Sequence, residues 1–182
     1  MAYNIFFDTE TTGIEAEDQI IQIGAIITNS KGELYKQGVY NELCSSQIPI
    51  KLQAMSTHGI RQEELEGKQG FNKTEFWTDL NELNSVDNYL IAHNLPFDLG
   101  MLEKHNFKNK FQIVDTLKCA MHLYDVKVPH VSAGLGQEDL IEEEILDKNN
   151  NTVPNYKLQT FRYKLFSKQE ERDEANKYNV EI

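Results

Sequence analysis

Apolar positions fall in short, β-branched runs near the N-terminus and at helical intervals further along. Tyr3-Asn4-Ile5-Phe6 leads into Phe7 to Gly13, FDTETTG, and the isoleucine-rich stretch Gln19 to Thr28 follows. After the turn Asn29-Ser30-Lys31-Gly32 comes a third run, Glu33 to Tyr40, and together these predict a three-stranded meander. Pro49 opens a short segment ending in Met55-Ser56-Thr57-His58-Gly59-Ile60. Asn72-x-x-Glu75 ahead of Phe76, Trp77, Leu80 and Leu83 predicts an amphipathic helix capped from Asn72. Tyr89 to Ala92 reads as a buried strand, followed by a helix start with Asn94 at the cap and Pro96 early in the helix. Phe111 to Val114 is the last strand expected, and Asp115, as N-cap, opens a helix through about Leu123.

Beyond Asp125 the periodicity weakens. Residues 125–157 read as an irregular insertion, with an acidic helical stretch at Gln137 to Leu146 and a polar turn at Asp147 to Asn151. Helical spacing resumes from Lys157 to Phe166, and Ser167-x-x-Glu170 is a capping box for one more helix toward Tyr178. Repeats and low-complexity linkers are absent, so 182 residues are expected to form a single domain.

Composition narrows the function classes. The chain is 40% hydrophobic and 26% charged, with no apolar stretch near the roughly 20 residues of a membrane helix. A leader pattern is lacking, and Cys44 and Cys119 make no disulfide framework, which points to the cytoplasm. Cys119, in the apolar stretch Leu117 to Leu123, is expected to be buried. A net charge of −11 argues against a broad basic face for duplex nucleic acid. It leaves room for an enzyme that grips a strand end through metal ions.

Asp8 and Glu10 carry the first candidate chemistry. Two positions apart on a strand, they point the same way, roughly 6 to 7 Å apart. Like charges that close repel unless a cation lies between them, and hard divalent cations accept carboxylate oxygens. The alternative is a strand end fraying into a polar turn. A third carboxylate, Asp98, follows in Ile91 to Leu102, IAHNLPFDLGML. Alone it could be a helix first-turn residue placed against the macrodipole.

With these motifs together the chain resembles the DnaQ-like 3′→5′ exonucleases of the DEDD group. Its nearest likeness is to the histidine branch and the proofreading, epsilon-type subunits of bacterial DNA polymerase III. The match runs from Tyr3 to about Leu123, with weaker agreement at Tyr156 to Phe166; His58-Gly59-Ile60 also resembles a family segment that lies against the nucleic-acid end. The resemblance implies an α/β, RNase H-like fold: a central mixed five-stranded sheet with helices on both faces. It implies a phosphodiester hydrolase that releases nucleoside monophosphates from a 3′ end, using two ions of Mg²⁺ or Mn²⁺ held by Asp8, Glu10 and Asp98. Thr9, Thr11, Thr12, Gly13, His58, Asn94 and Phe97 are the implied substrate contacts, although Phe97 could equally be core. The implied partner is a single-stranded or frayed 3′ end of DNA, with RNA as an alternative, and a DNA polymerase subunit is a further possible partner.

The family's third motif, a general-base His followed five positions later by Asp, is not found. The single His-x-x-x-x-Asp is His93 to Asp98, inside the second motif; His122 and His130 lack the partner, and Tyr178 is followed at four positions by Ile182. The expectation is therefore a C-terminally incomplete domain without the final helix and its base, and with impaired catalysis. The alternatives are an exonuclease fold that binds a strand end or a polymerase without cleaving, and a rearranged site. Asp115 could stand in as a ligand, but as a helix cap it is already accounted for.

Overall fold

The computed structural model describes residues 1–126 and 152–178, and the chain divides into two compact units, Met1–Val114 and Asp115–Ile182. In the first unit, β1 (Tyr3–Thr11), β2 (Ile20–Asn29) and β3 (Leu34–Leu43) form the expected antiparallel meander. β4 (Tyr89–Ala92) runs parallel to β1, and β5 (Gln112–Asp115) completes a mixed five-stranded sheet of order β3-β2-β1-β4-β5. With α1 (Leu52–His58), α2 (Glu75–Glu82) and α3 (Leu95–Glu103) this is the α/β, RNase H-like arrangement the sequence implied.

Strand alternation decides what β1 buries. Ile5, Phe7, Thr9 and Thr11 are buried, whereas Phe6, Asp8 and Glu10 alternate with them on the other face. Ile5 and Phe7 join Ile23 and Ile27 of β2, Phe76 and Leu80 of α2, and Leu95 and Leu102 of α3 in the main core. Phe76 packs between Phe7 and Tyr40, with ring centroids 6.2 and 5.5 Å away. Burial of one such side chain contributes about 1.5–3 kcal/mol. A smaller cluster of Ile21, Ile50, Ile60 and Leu65, with Ala54 and Met55 of α1 packed on it, lies apart from that core.

The start of α2 differs from expectation. Asn72 lies inside a 3₁₀ turn, Phe71–Lys73, and Thr74 is the cap, its hydroxyl accepting from the Trp77 N–H at 3.1 Å. Glu42 of β3 accepts from the Glu75 and Phe76 N–H groups, so a remote carboxylate serves the first turn where a local capping box was expected. Asn94 does hold the cap position of α3, but in the left-handed conformation (φ 67°) and without a side-chain cap bond.

In the second unit Asp115 caps α4 (Thr116–Leu123), accepting from the Leu117 N–H at 3.0 Å. Both halves of the expected capping box are present ahead of α6 (Lys168–Tyr178): Ser167 N–H donates to Glu170 and Glu170 N–H to the Ser167 hydroxyl. α5 (Leu158–Leu165) and α4 enclose a small cluster of Ala120, Val153 and Phe161. Cys119 is exposed and Cys44 buried, a correction for Cys119, because Ala120 is the α4 residue turned into that cluster. Two short strands, β6 (Asp125–Val126) and β7 (Thr152–Val153), pair in parallel within the stretch read as irregular. The acidic stretch Gln137 to Leu146 and His130 lie outside the described residues.

Candidate active site

β4 pairs with β1 only as far as Phe6↔Ile91, and the β1 amides past that point need other acceptors. The Thr9 N–H donates to Asp98 Oδ1 at 3.0 Å, and the Thr9 hydroxyl donates to the same oxygen at 2.7 Å. At the other end of the ladder the Tyr3 N–H donates to Asn88 Oδ1 at 2.8 Å. Asp98 is thus fixed to the strand that carries Asp8 and Glu10, although it comes from the first turn of α3.

A register shift between Glu10 and Thr11 ends the regular pairing of β1 with β2, so the chain turns away just past the carboxylates. Gly24 lies opposite Asp8, and no heavy atom stands within 4 Å of where its Cβ would be. That leaves space above Asp8.

Electrostatically the three acids act on one another. Burial pushes the Asp98 carboxyl up to about 6, and Asp8 adds to the rise against the opposing Thr9 bonds. Glu10 is raised by burial and then by the charges of Asp8 and Asp98. Asp8 is also raised by burial, offset in part by the Thr9 amide and by His93. Hence His93, which sequence reasoning left without a role, is a neighbour whose charge would favour the ionised form of Asp8.

A groove of about 310 Å³ opens at Glu10, lined in part by Thr9, Glu10, Thr11, Gly13, His58 and Phe97; Asp8 and Asp98 are not among its lining residues. The separate hollow of about 370 Å³ at Lys36, Gln37 and Asp79 holds none of the candidate residues. His58, the last residue of α1, accepts from the Ile60 N–H at Nδ1 (3.0 Å), so in the neutral ring Nε2 carries the proton and donates to Thr11 O at 3.2 Å. Gly59 terminates α1 with φ 75°, a conformation that glycine adopts without a Cβ penalty. Phe97 lines the groove and also packs against the main core, so it serves both of the roles the sequence allowed.

Thr12 and Asn94 are not among the groove-lining residues. Thr12 is fully buried: its hydroxyl donates to Asp18, its N–H donates to Gln19 O, and its carbonyl accepts from the Lys51 N–H. The Thr9 hydroxyl is likewise engaged with Asp98, and the Thr11 hydroxyl donates to Gly13 O.

The donor set suits a hard divalent cation, since all three acids offer carboxylate oxygen and each disfavours ionisation of the others. Among the described residues, no three acidic, histidine or cysteine side chains are already gathered as a metal cage. Asp8, Glu10 and Asp98 are coupled through charge.

Comparison with known proteins bears on the family and the fold. The exonuclease family model RNase_T matches residues 5–131, and the chain belongs to this exonuclease family. Among curated relatives, DNA polymerase III PolC-type from Streptococcus sanguinis (strain SK36) is 29% identical over 140 residues, 72% of this chain. The polymerase of the same type from Halalkalibacterium halodurans is 28% identical over 134 residues, 69% of this chain. In both cases the match spans only 9% of the relative's length. Among solved structures, E. coli exonuclease I in complex with a dA16 oligonucleotide aligns with a TM-score of 0.55 at 22% identity, covering 74% of this chain and 33% of that one. Exonuclease X in complex with 5′ overhanging duplex DNA aligns with a TM-score of 0.50 at 21% identity, covering 68% and 66%. These structural likenesses concern the fold.

Proposed function

We propose that the chain is a metal-dependent 3′→5′ exonuclease of the histidine branch that removes nucleoside monophosphates from the 3′ end of DNA, in proofreading or repair. The observation that carries this reading is the mutual electrostatic coupling of Asp8, Glu10 and Asp98, with Glu10 lining a groove of about 310 Å³. Mg²⁺ or Mn²⁺ bound there supplies the charge that activates a water and stabilises the departing oxygen of an in-line displacement.

Asp8 and Glu10 would hold metal from the strand and Asp98 from the helix, with Thr9 keeping Asp98 in place. Phe97 would offer an apolar surface to the terminal base, and the α1 side of the groove, ending in His58, would bound the sugar. DNA is favoured over RNA because the curated relatives are DNA polymerases. The same likeness supports association with a polymerase. No described helix is long and apolar enough to cross a membrane, and partners at a membrane form no part of this reading.

Polarity and substrate class test the proposal. With Mn²⁺, a 3′-labelled single-stranded oligodeoxynucleotide should release its label as a mononucleotide from the first turnover, while the 5′-labelled strand shortens stepwise. Early release of the 5′ label, or faster trimming of the matched RNA strand, would count against it.

A further inference from the structure

Asp18 is a buried carboxylate with a full set of donors and no part in the carboxylate cluster. Its side chain has no exposed surface; Oδ1 accepts from the Thr12 hydroxyl at 2.7 Å, and Oδ2 from the Glu15 N–H at 2.7 Å and Lys51 Nζ at 2.6 Å. Lys51 immediately precedes α1, and its own N–H donates to Thr12 O at 2.9 Å. The far end of α1 is bound to the same strand end through His58 and Thr11 O. α1 is therefore fastened at both ends to the chain that follows Glu10.

Gly13 shows how tightly the first fastening is packed. A Cβ there would stand 2.5 Å from Asp18 Oδ2 and 2.6 Å from Lys51 Cδ. No side chain fits without moving the ion pair. On the other side of the loop, Lys104, just past α3, donates from Nζ to the carbonyls of Glu15 (2.9 Å) and Asp18 (3.1 Å). Loop 13–18 is thereby tied to the helix that ends in His58 and to the helix that begins near Asp98. Gly13, Glu15, Lys51 and His58 all line the groove.

We propose that Asp18 and Lys51 form a latch that sets the width of the groove at the strand terminus, and that both are positioning residues for recognition of a 3′ end. This rests on the exonuclease reading. Lys51 holds the rim of the groove to α1 and Asp18 anchors Lys51 from within the protein, so neither group needs to touch the reacting phosphate. Misplacing a bound end by about 1 Å can cost up to about 100-fold in a reaction that depends on it.

The test reads end recognition rather than turnover. Fluorescence anisotropy, with Ca²⁺ as the divalent ion, compares a 5′-fluorescein oligodeoxynucleotide bearing a free 3′ end with a circular single strand of the same sequence as competitor. The full chain should prefer the linear strand; Lys51→Met should bring the ratio of linear to circular affinity close to one, and Lys51→Arg should retain the preference. Gly13→Ala perturbs the latch without removing a charge, should behave as Lys51→Met does, and serves if that variant does not fold. A merely structural latch would lower the melting temperature and leave the ratio of linear to circular affinity unchanged, which overturns the proposal. If the unmodified chain shows no preference for the linear strand, the exonuclease reading itself fails and the latch with it.

Discussion

Thr9 and Asp98, eighty-nine positions apart in sequence, are joined by two hydrogen bonds to a single carboxylate oxygen, one from the Thr9 amide and one from its hydroxyl. The bonds lock the acid of α3 to the strand that carries Asp8 and Glu10. They also oppose the rise in the Asp98 pKa that burial and Asp8 cause. Thr9→Val keeps the shape and the backbone bond and removes only the hydroxyl. It should cost about 1–3 kcal/mol of stability as a donor to a buried carboxylate is lost, and raise the pH at which Asp98 ionises. Urea denaturation and titration of the Asp98 carboxyl by NMR check both effects.

The raised carboxylates give the metal-free protein a pH signature. Asp98 goes from an ordinary value of 3.8 to about 6 on folding, so the folded state binds its proton more tightly than the unfolded state does. Stability from this group is present below about pH 4 and is lost as pH rises toward 6, by at most about 2–3 kcal/mol. Asp8 and Glu10 are shifted in the same direction. Asp18 has the opposite sign: burial alone would raise it, but its bonds from Lys51, Thr12 and Glu15 prevail and lower it, so its contribution is lost only as pH falls below 3.8. Thermal melts without metal should therefore lose stability between pH 4 and 6. Addition of Mg²⁺ at pH 7 should restore it, and Asp98→Asn should flatten the pH dependence.

Much of this organisation was legible in the chain. Period-2 alternation placed Asp8 and Glu10 on one face of β1, and Ser167 with Glu170 announced the start of α6 through local chemistry alone. The readings that failed depended on groups distant in sequence. Nothing near Asn72 reveals that Glu42 will serve the α2 amides, so the cap moved to Thr74. The setting of Thr12 depends on distant groups as well, since its hydroxyl and carbonyl are bound to Asp18 and Lys51. Gly13 and Asp18 flanking the loop were the available signal, but the spacing of neither discloses the lysine 33 positions beyond Asp18 that completes the pair.

His58 is expected to act through the shape of the groove, since both ring nitrogens are engaged with backbone groups. His58→Ala should cost about 1 kcal/mol of stability for the lost bond to Thr11 and weaken binding of a 3′-ended oligonucleotide. Calorimetry of the binding, paired with a thermal melt, separates the two. An affinity equal to that of the unmodified chain would remove His58 from the groove's working surface.

A network remote from the groove supplies a control. Tyr40 donates to Asp79 Oδ2 at 2.6 Å, and Lys36 meets the other oxygen of this buried acid at 2.5 Å. Burial, followed by the neighbouring Asp79, raises the Tyr40 pKa, so the phenol is held as a neutral donor. Tyr40→Phe should destabilise the fold by about 1–3 kcal/mol without altering metal affinity or end recognition. Denaturant unfolding and a Mn²⁺ titration on the same preparation test that separation.

Metal-dependent shortening of a 5′-labelled oligodeoxynucleotide tests the carboxylate site most directly. The unmodified chain with Mn²⁺ should yield a ladder that recedes one nucleotide at a time from the 3′ end and stops when a chelator is added. Asp8→Asn and Asp98→Asn should each reduce the rate by more than the roughly 10- to 100-fold typical of a disturbed outer-shell metal partner. Shortening that survives either substitution undiminished would contradict the assignment of Asp8, Glu10 and Asp98 as its metal-dependent centre.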